Sequence, residues 1–456
     1  MPTYVLENVL LPHGWRRNVL LSVDARGDIT AIGEVGEATP DDAVRGYVVP
    51  GMINLHSHAH QRAMVGLAER AGPTDDSFWT WREVMYHYVG RLAPEHLEAI
   101  AAQLYVEMLT AGYTSVAEFQ YLHHGIDGTA YDNIAEMSLR TANAARETGI
   151  GMTNLPVLYG FGGFGSQPST SSQRRFVNKA DAFLEIVERL REAGSADPNV
   201  LTGIAPHSPR AIDKALLASV LAADSTAAAY PIHMHVAEQT KEVDDCLTWC
   251  GRRPVEWVLD EFDVDQRWCL IHATHMQSFE VERLADSGAV AGLCPTTEAN
   301  LGDGLFELVP FLAHGGRFGI GSDSHICVSP VEELRWLEYG QRLKTQSRNV
   351  LAGGPGRHTG RTLYDAALSG GAQACGRKVG KLEVGCRADW VVLDNQSELL
   401  HGREDDALVD TWLFAGNKNL VTDVYVAGRH IVRGGHHIDA DAVASRFKRA
   451  MDELAA

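Results

Sequence analysis

The sequence predicts an α/β protein: a (β/α)8 TIM barrel with a second, small β-sandwich domain formed by the N- and C-terminal segments together. Three observations carry this. From about residue 48 to residue 322, apolar β-rich runs alternate with longer helical stretches, the signal for βαβ units and a parallel sheet. Eight such strand–helix units fit into that stretch, the number that closes a barrel. Both flanks instead read as short strands separated by turns. The expected organisation is a small β domain over 1–47, the barrel over 48–375, and the rest of the β domain with a terminal helix over 376–456.

In chain order, the opening strands fall at 3–9, 17–23 and 28–32. The barrel strands follow at 49–58, 115–121, 151–159, 201–207, 230–237, 268–272, 288–294 and 317–323. Between them lie helical patterns at 94–111, 133–148, 179–193 and 214–223. The closing strands are expected at 388–393, 423–427 and 429–433. Two excursions interrupt the barrel rhythm. Residues 68–91 form a long aromatic-rich insertion after the first strand, and 160–175, rich in Gly, Ser and Gln, has the composition of a mobile lid. There is no internal repeat and no low-complexity tail.

The 456 residues, 45% hydrophobic and 22% charged, have the composition of a soluble globular protein with a large core. The longest apolar runs are too short to span a bilayer. The first residues show no basic stretch followed by an apolar one, so no secretory signal is expected. A formal net charge of −19 argues against nucleic acid and anionic membrane surfaces as partners, but not against a small anionic substrate. Seven cysteines without a small-scaffold pattern, Cys246 and Cys250 among them, fit reduced thiols in a cytoplasm.

The chemistry-bearing residues gather at the C-terminal ends of the candidate strands, where such barrels place their active sites. His56 and His58 close the first strand, and residues two apart on a strand share a face. His233 and His235 lie on the fifth strand with Glu238 just beyond, His272 ends the sixth, and Asp323 ends the eighth. Imidazoles with one carboxylate, converging on one mouth, form a zinc-type set with room for a water. Near them stand Gln61, Arg82, Tyr121, His207 and Arg210. Two arginines beside such a cluster suit a substrate with two carboxylates, because a guanidinium matches a carboxylate in a bidentate fork.

The ordered motifs Pro-Gly-Met-Ile-Asn-Leu-His-Ser-His, His-x-His-x-x-Glu, a later strand-end His and Gly-Ser-Asp resemble the amidohydrolase superfamily, and the tail 380–389 resembles its return to the small β domain. Members with two metals bridge them through a modified lysine at the end of the fourth strand. Here that end reads Ala205-Pro-His-Ser, so the resemblance is to the single-metal deaminases. It implies one Zn2+ per subunit held by His56, His58, His235 and Asp323, with His233 packing or lying behind the ligands. It further implies that the ion brings the pKa of a water toward neutrality, that Asp323 takes the water's proton, that Glu238 shuttles it to the leaving nitrogen, and that His272 polarises the substrate.

The runs His-Ser-His-Ala-His-Gln-Arg-Ala-Met and Asp-Ser-Phe-Trp-Thr-Trp-Arg-Glu-Val-Met-Tyr are similar to the branch that hydrolyses the formimino group of N-formimino-L-glutamate, a step of histidine degradation. That resemblance implies Gln61, Arg82, Tyr121, His207 and Arg210 as substrate-binding residues, a homodimer, and N-formyl-L-glutamate and ammonia as products. Two rivals share the motifs. A guanine-type purine or pyrimidine deaminase would need stacking groups, for which Phe78, Trp79 and Trp81 are candidates. A non-catalytic relative would keep the fold and lose the metal.

Overall fold

A computed structural model describes residues 1–36, 40–70, 78–223 and 230–455. The barrel strands are Met52–Ser57, Tyr113–Gln120, Gly151–Leu158, the broken pair Val200–Thr202 and Ala205–Pro206, then Ile232–Val236, Trp268–His272, Val290–Leu293 and Arg317–Ile320. They run parallel in two ladders. Bridges between Ile204 and Ile232 and between Ser57 and Asp323 join the ladders into a closed ring. Nearly every strand residue is buried on both faces, which is why these segments read as continuous apolar runs rather than alternating ones.

Local signals explain the helix bounds. Pro94 starts the helix Pro94–Ala111, where its missing N–H costs nothing, and Gly112 ends it at φ 105 with its N–H returned to Leu109 and Met108. The sequence reading differs most from the structure at two strands. Residues 49–58 divide at Gly51: Asp42–Pro50 joins the small sheet and Met52–Ser57 opens the barrel. A Cβ on Gly51 would lie 2.2 Å from the Thr114 side chain, so the crossing is a close approach that glycine permits. The fourth strand breaks at Gly203 and resumes at Ala205–Pro206, where proline cannot donate to a ladder.

The two ends of the chain build one eight-stranded sheet, in which Asp42–Pro50 pairs with Trp390–Leu393 as well as with Thr3–Leu11. Leu6, Leu21, Val48, Trp390 and Val392 share a core separate from the barrel's. The rings of Trp390 and Tyr425 stack at 4.6 Å within it. The terminal helix Ala440–Ala455 returns to the barrel and packs on Pro94–Ala111. Among the described residues no helix is long and apolar enough to cross a membrane.

The barrel buries imidazoles that serve packing alone. His123 donates Nε2–H to the Val157 carbonyl at 2.8 Å, and burial lowers its pKa from 6.5 to about 4. Between those two pH values the unfolded chain binds a proton that the folded one refuses. Stability from the neutral ring is therefore complete above pH 6.5 and is lost as the pH falls toward 4. The advantage of the wild type over His123→Gln is expected to shrink by about 2 kcal/mol between pH 7 and pH 5, read from denaturant midpoints. An advantage that does not change with pH would contradict this account.

Candidate active site

The strand ends bring four donor groups to one point. His56 and His58 come from the first strand, His235 from the fifth, and Asp323 from the turn after the eighth. His235 Nε2 lies 3.0 Å from His56 Nε2 and 3.3 Å from His58 Nε2. Asp323 Oδ1 lies 3.6 Å from His56 Nε2 and 3.4 Å from His58 Nε2. Four ligand atoms around a zinc-sized ion, each about 2.0–2.2 Å from it, stand about 3.3–3.6 Å apart.

The hydrogen bonds behind the rings settle which nitrogens face inward. His58 donates Nδ1–H to the Phe119 carbonyl at 2.9 Å, and His235 donates Nδ1–H to the His207 carbonyl at 3.0 Å. Their Nε2 atoms therefore present lone pairs to one another and to a carboxylate. Burial, aided by the neighbouring imidazoles, pushes His56 and His235 well below the ordinary histidine value, and burial lowers His58 to about 3. Neutral rings with lone pairs converging on a carboxylate fit a divalent cation. His233 takes no part: its Nε2–H goes to the Ala374 carbonyl at 2.7 Å.

Beside the cluster, His272 Nε2 sits between Glu238 Oε1 at 3.9 Å and Asp323 Oδ2 at 3.7 Å. Burial alone would depress His272, but Glu238, Glu298 and Asp323 outweigh it and hold the ring at about 10. Burial, reinforced by Glu238 and Glu298 and opposed by His272, pushes the Asp323 carboxyl to about 7. The backbone is strained here. Ala237, His272, Ala273 and Asp323 all have positive φ, between 46 and 66°.

A pocket opens over this cluster, lined by Gln61, Arg82, Tyr121, His207 and Arg210 together with His58, His235, Glu238, His272 and Asp323. His56 lies beneath it, fully buried. Gln61 Nε2 donates to the Tyr121 hydroxyl at 2.9 Å, and His60 Nε2 meets the same oxygen at 2.9 Å. His207 Nδ1 is 3.0 Å from Ser208 Oγ. Arg210 is backed by the buried Glu242, 3.8 Å away, and Arg82 lies over the Tyr86 ring. Of the aromatic insertion, residues 71–77 and the side chains of Phe78 and Trp79 lie outside the described residues, while Trp81 reaches the pocket wall. The segment 160–175 is fastened: Phe164 stacks on Trp249, Gln173 Nε2 donates to the Tyr159 hydroxyl at 2.8 Å, and the buried Arg175 donates to the His124 carbonyl at 2.8 Å.

Two supporting groups were missed in the sequence reading. The first is a polar network under the strand-end histidines. His325 accepts the His58 N–H on Nε2 at 3.2 Å and donates Nδ1–H to Ser322 Oγ at 2.9 Å, which also accepts from Asn54 at 2.6 Å. Ser57 donates to Glu118 at 2.6 Å on the same floor. The Ser-His that follows Gly-Ser-Asp was the available signal. Replacing His325 by Ala is expected to weaken metal affinity by about 10- to 100-fold, measured as metal retained against a graded chelator. Unchanged retention would reduce the network to packing. The second group is Glu298, whose place near Pro295 reads in sequence as an ordinary helix start.

A family model described as the amidohydrolase family matches residues 47–431. Formimidoylglutamate deiminase of Pseudomonas aeruginosa is 54% identical over 454 residues, covering 100% of both chains. The crystal structure of an amidohydrolase from Brucella melitensis is similar at a TM-score of 0.94 with 48% identity over 100% of both chains. An adenosine deaminase from Xanthomonas campestris, solved with bound zinc, shares the fold at a TM-score of 0.81 with 20% identity, covering 99% of this chain and 98% of its own. The barrel, the strand-end cluster and a family match across most of the sequence converge on one assignment: the chain belongs to the amidohydrolase family.

Proposed function

We propose that the chain hydrolyses N-formimino-L-glutamate to N-formyl-L-glutamate and ammonia, a deimination belonging to histidine degradation, with one zinc ion held by His56, His58, His235 and Asp323. The observation that carries the substrate is the presence of Arg82 and Arg210 in the same pocket as the metal-type cluster. The full-length likeness to formimidoylglutamate deiminase supports the same reading.

When bound, the ion supplies a water acidic enough to lose its proton near neutral pH. The chain's residues do the rest. Arg210 with Tyr121 and Arg82 with Gln61 hold the two carboxylates, and His207 closes the wall between them. That fixes the formimino carbon over the cluster and converts its encounter with water into an oriented one. Asp323 Oδ2 accepts the water's proton. Glu238 Oε1, 3.9 Å from His272 Nε2, carries that proton on to the nitrogen, which leaves as ammonia when the C–N bond breaks and the hydroxyl of the tetrahedral carbon gives up the second proton. His272 stabilises charge as the carbon becomes tetrahedral.

A purine or pyrimidine deaminase would need stacking and amide contacts where this pocket offers two guanidinium groups. Seven free cysteines fit a reducing cytoplasm. The exposed Trp336, Tyr339 and Leu343, spaced along the helix Pro330–Thr345, support self-association into a homodimer.

The test is ammonia release by zinc-loaded protein from N-formimino-L-glutamate, with the aspartate homologue, guanine and cytosine in parallel. Release from the glutamate compound, abolished by a chelator, is the expected result. Release only from a base would overturn the substrate, and a protein that retains no metal would indicate a non-catalytic relative.

A further inference from the structure

We propose that Glu298 is the positioning residue that orients His272 by holding its Nδ1–H. The inference rests on the reading above only in the role it gives His272. The geometry is self-contained. Glu298 Oε1 stands 3.2 Å from His272 Nδ1 and also accepts the Cys294 N–H at 2.9 Å. A carboxylate can only accept here, so Nδ1 keeps its hydrogen toward Glu298, and the opposite nitrogen, Nε2, is aimed into the pocket beside Glu238 and Asp323. Both residues are fully buried or nearly so, which leaves no water to substitute for the carboxylate.

The carboxylate is itself held. Glu298 lies on the short helix Pro295–Leu301 that follows the seventh strand. Glu333, reaching in from the neighbouring helix Pro330–Thr345, accepts from Thr296 N at 2.9 Å and from Thr296 Oγ1 at 2.6 Å. That pins the helix start and so the place from which Glu298 projects. On the other side, His272 and Ala273 are forced to φ 66 and 46°, a conformation that residues with a Cβ adopt at a cost. Strain of this kind persists where surrounding contacts over-determine the position. The ring also lies parallel to His235 at 5.7 Å, so its plane is defined from two directions. The seventh strand, otherwise without a residue in the proposed reaction, thereby contributes to it through its neighbour.

A helix-capping role for Glu298 through the Cys294 N–H is the plain alternative, and the experiment separates the two. Glu298→Gln keeps an oxygen of the same reach for both donors, whereas Glu298→Met keeps the volume and removes the acceptor. The readouts are steady-state ammonia release, bound metal, and the 15N shifts of His272 in histidine-labelled protein, assigned with His272→Asn. Glu298→Gln is expected to retain kcat within about tenfold. Glu298→Met is expected to lose about a hundredfold or more in kcat at near-constant KM and metal content, and to lose the Nδ1–H signature of His272. Should Glu298→Met fail to fold, Glu298→Asp, which withdraws the oxygen by one methylene, carries the same expectation. A cap alone would lower thermal stability and leave both kcat and the Nδ1–H signature of His272 untouched, and that result would overturn the proposal. The 15N signature does not depend on the substrate, so it stands or falls separately from the deiminase reading.

Discussion

Glu238→Gln is expected to lower kcat by about 10²- to 10⁴-fold while KM and bound metal stay close to wild type. Glu238 is buried at the pocket floor, 3.9 Å from His272 Nε2, and its carboxylate is not among the donor atoms that converge with His56 and His58. Gln preserves the shape and removes the carboxylate that the proposed reaction uses to carry a proton to the leaving nitrogen. The loss belongs to the step in which that nitrogen departs, so it appears in kcat rather than in binding. Ammonia release under saturating substrate, with metal counted on the same preparation, decides the matter. Near-normal turnover would remove Glu238 from the proton path, and loss of metal with activity would make it a ligand instead.

Arg210→Met is expected to raise KM for the dicarboxylate steeply. A buried charge pair that loses one partner costs about 2–5 kcal/mol, which is roughly thirty- to several-thousand-fold in affinity. Arg210 stands at the pocket wall with Glu242 buried behind it, so the change strips the substrate of its proposed partner and strands a second carboxylate. Burial raises the Glu242 pKa while Arg210 opposes that rise, so part of the stranded charge is relieved by protonation. For that reason the expected effect lies in KM more than in folding. The control is N-formimino-glycine, which lacks the side-chain carboxylate: a larger loss on the glutamate compound assigns Arg210 to that carboxylate, equal losses assign it to the shared α-carboxylate, and no loss on either would refute the pairing.

The barrel and the strand-end residues could be read in the sequence because each depends on local periodicity. Trp268–His272 and Pro94–Ala111 fall at their expected bounds, the first because an all-buried strand is an unbroken apolar run, the second because Pro94 and Gly112 punctuate it. The fourth strand was blurred because Gly203 and Pro206 break its ladder while its side chains stay apolar. Glu298, Glu333 and Glu242 were hidden for a different reason. Each is an acidic residue on or next to a helix, where solvent exposure is the ordinary expectation, and its burial follows only from which strand end the helix happens to cover. His325 was visible as a letter beside Asp323 but not as a partner of His58, because that contact joins residues at opposite ends of the barrel sequence.

The bridge between Ser57 and Asp323 also sets an order of events during synthesis. The first strand, with two of the proposed ligands, leaves the ribosome long before the turn that supplies the carboxylate. Until residue 323 emerges, the nascent chain holds imidazoles without their anionic partner and a barrel without its last seam. The four proposed donors thus come together only when the ring closes late in translation, so an ion held by them would favour the closed form.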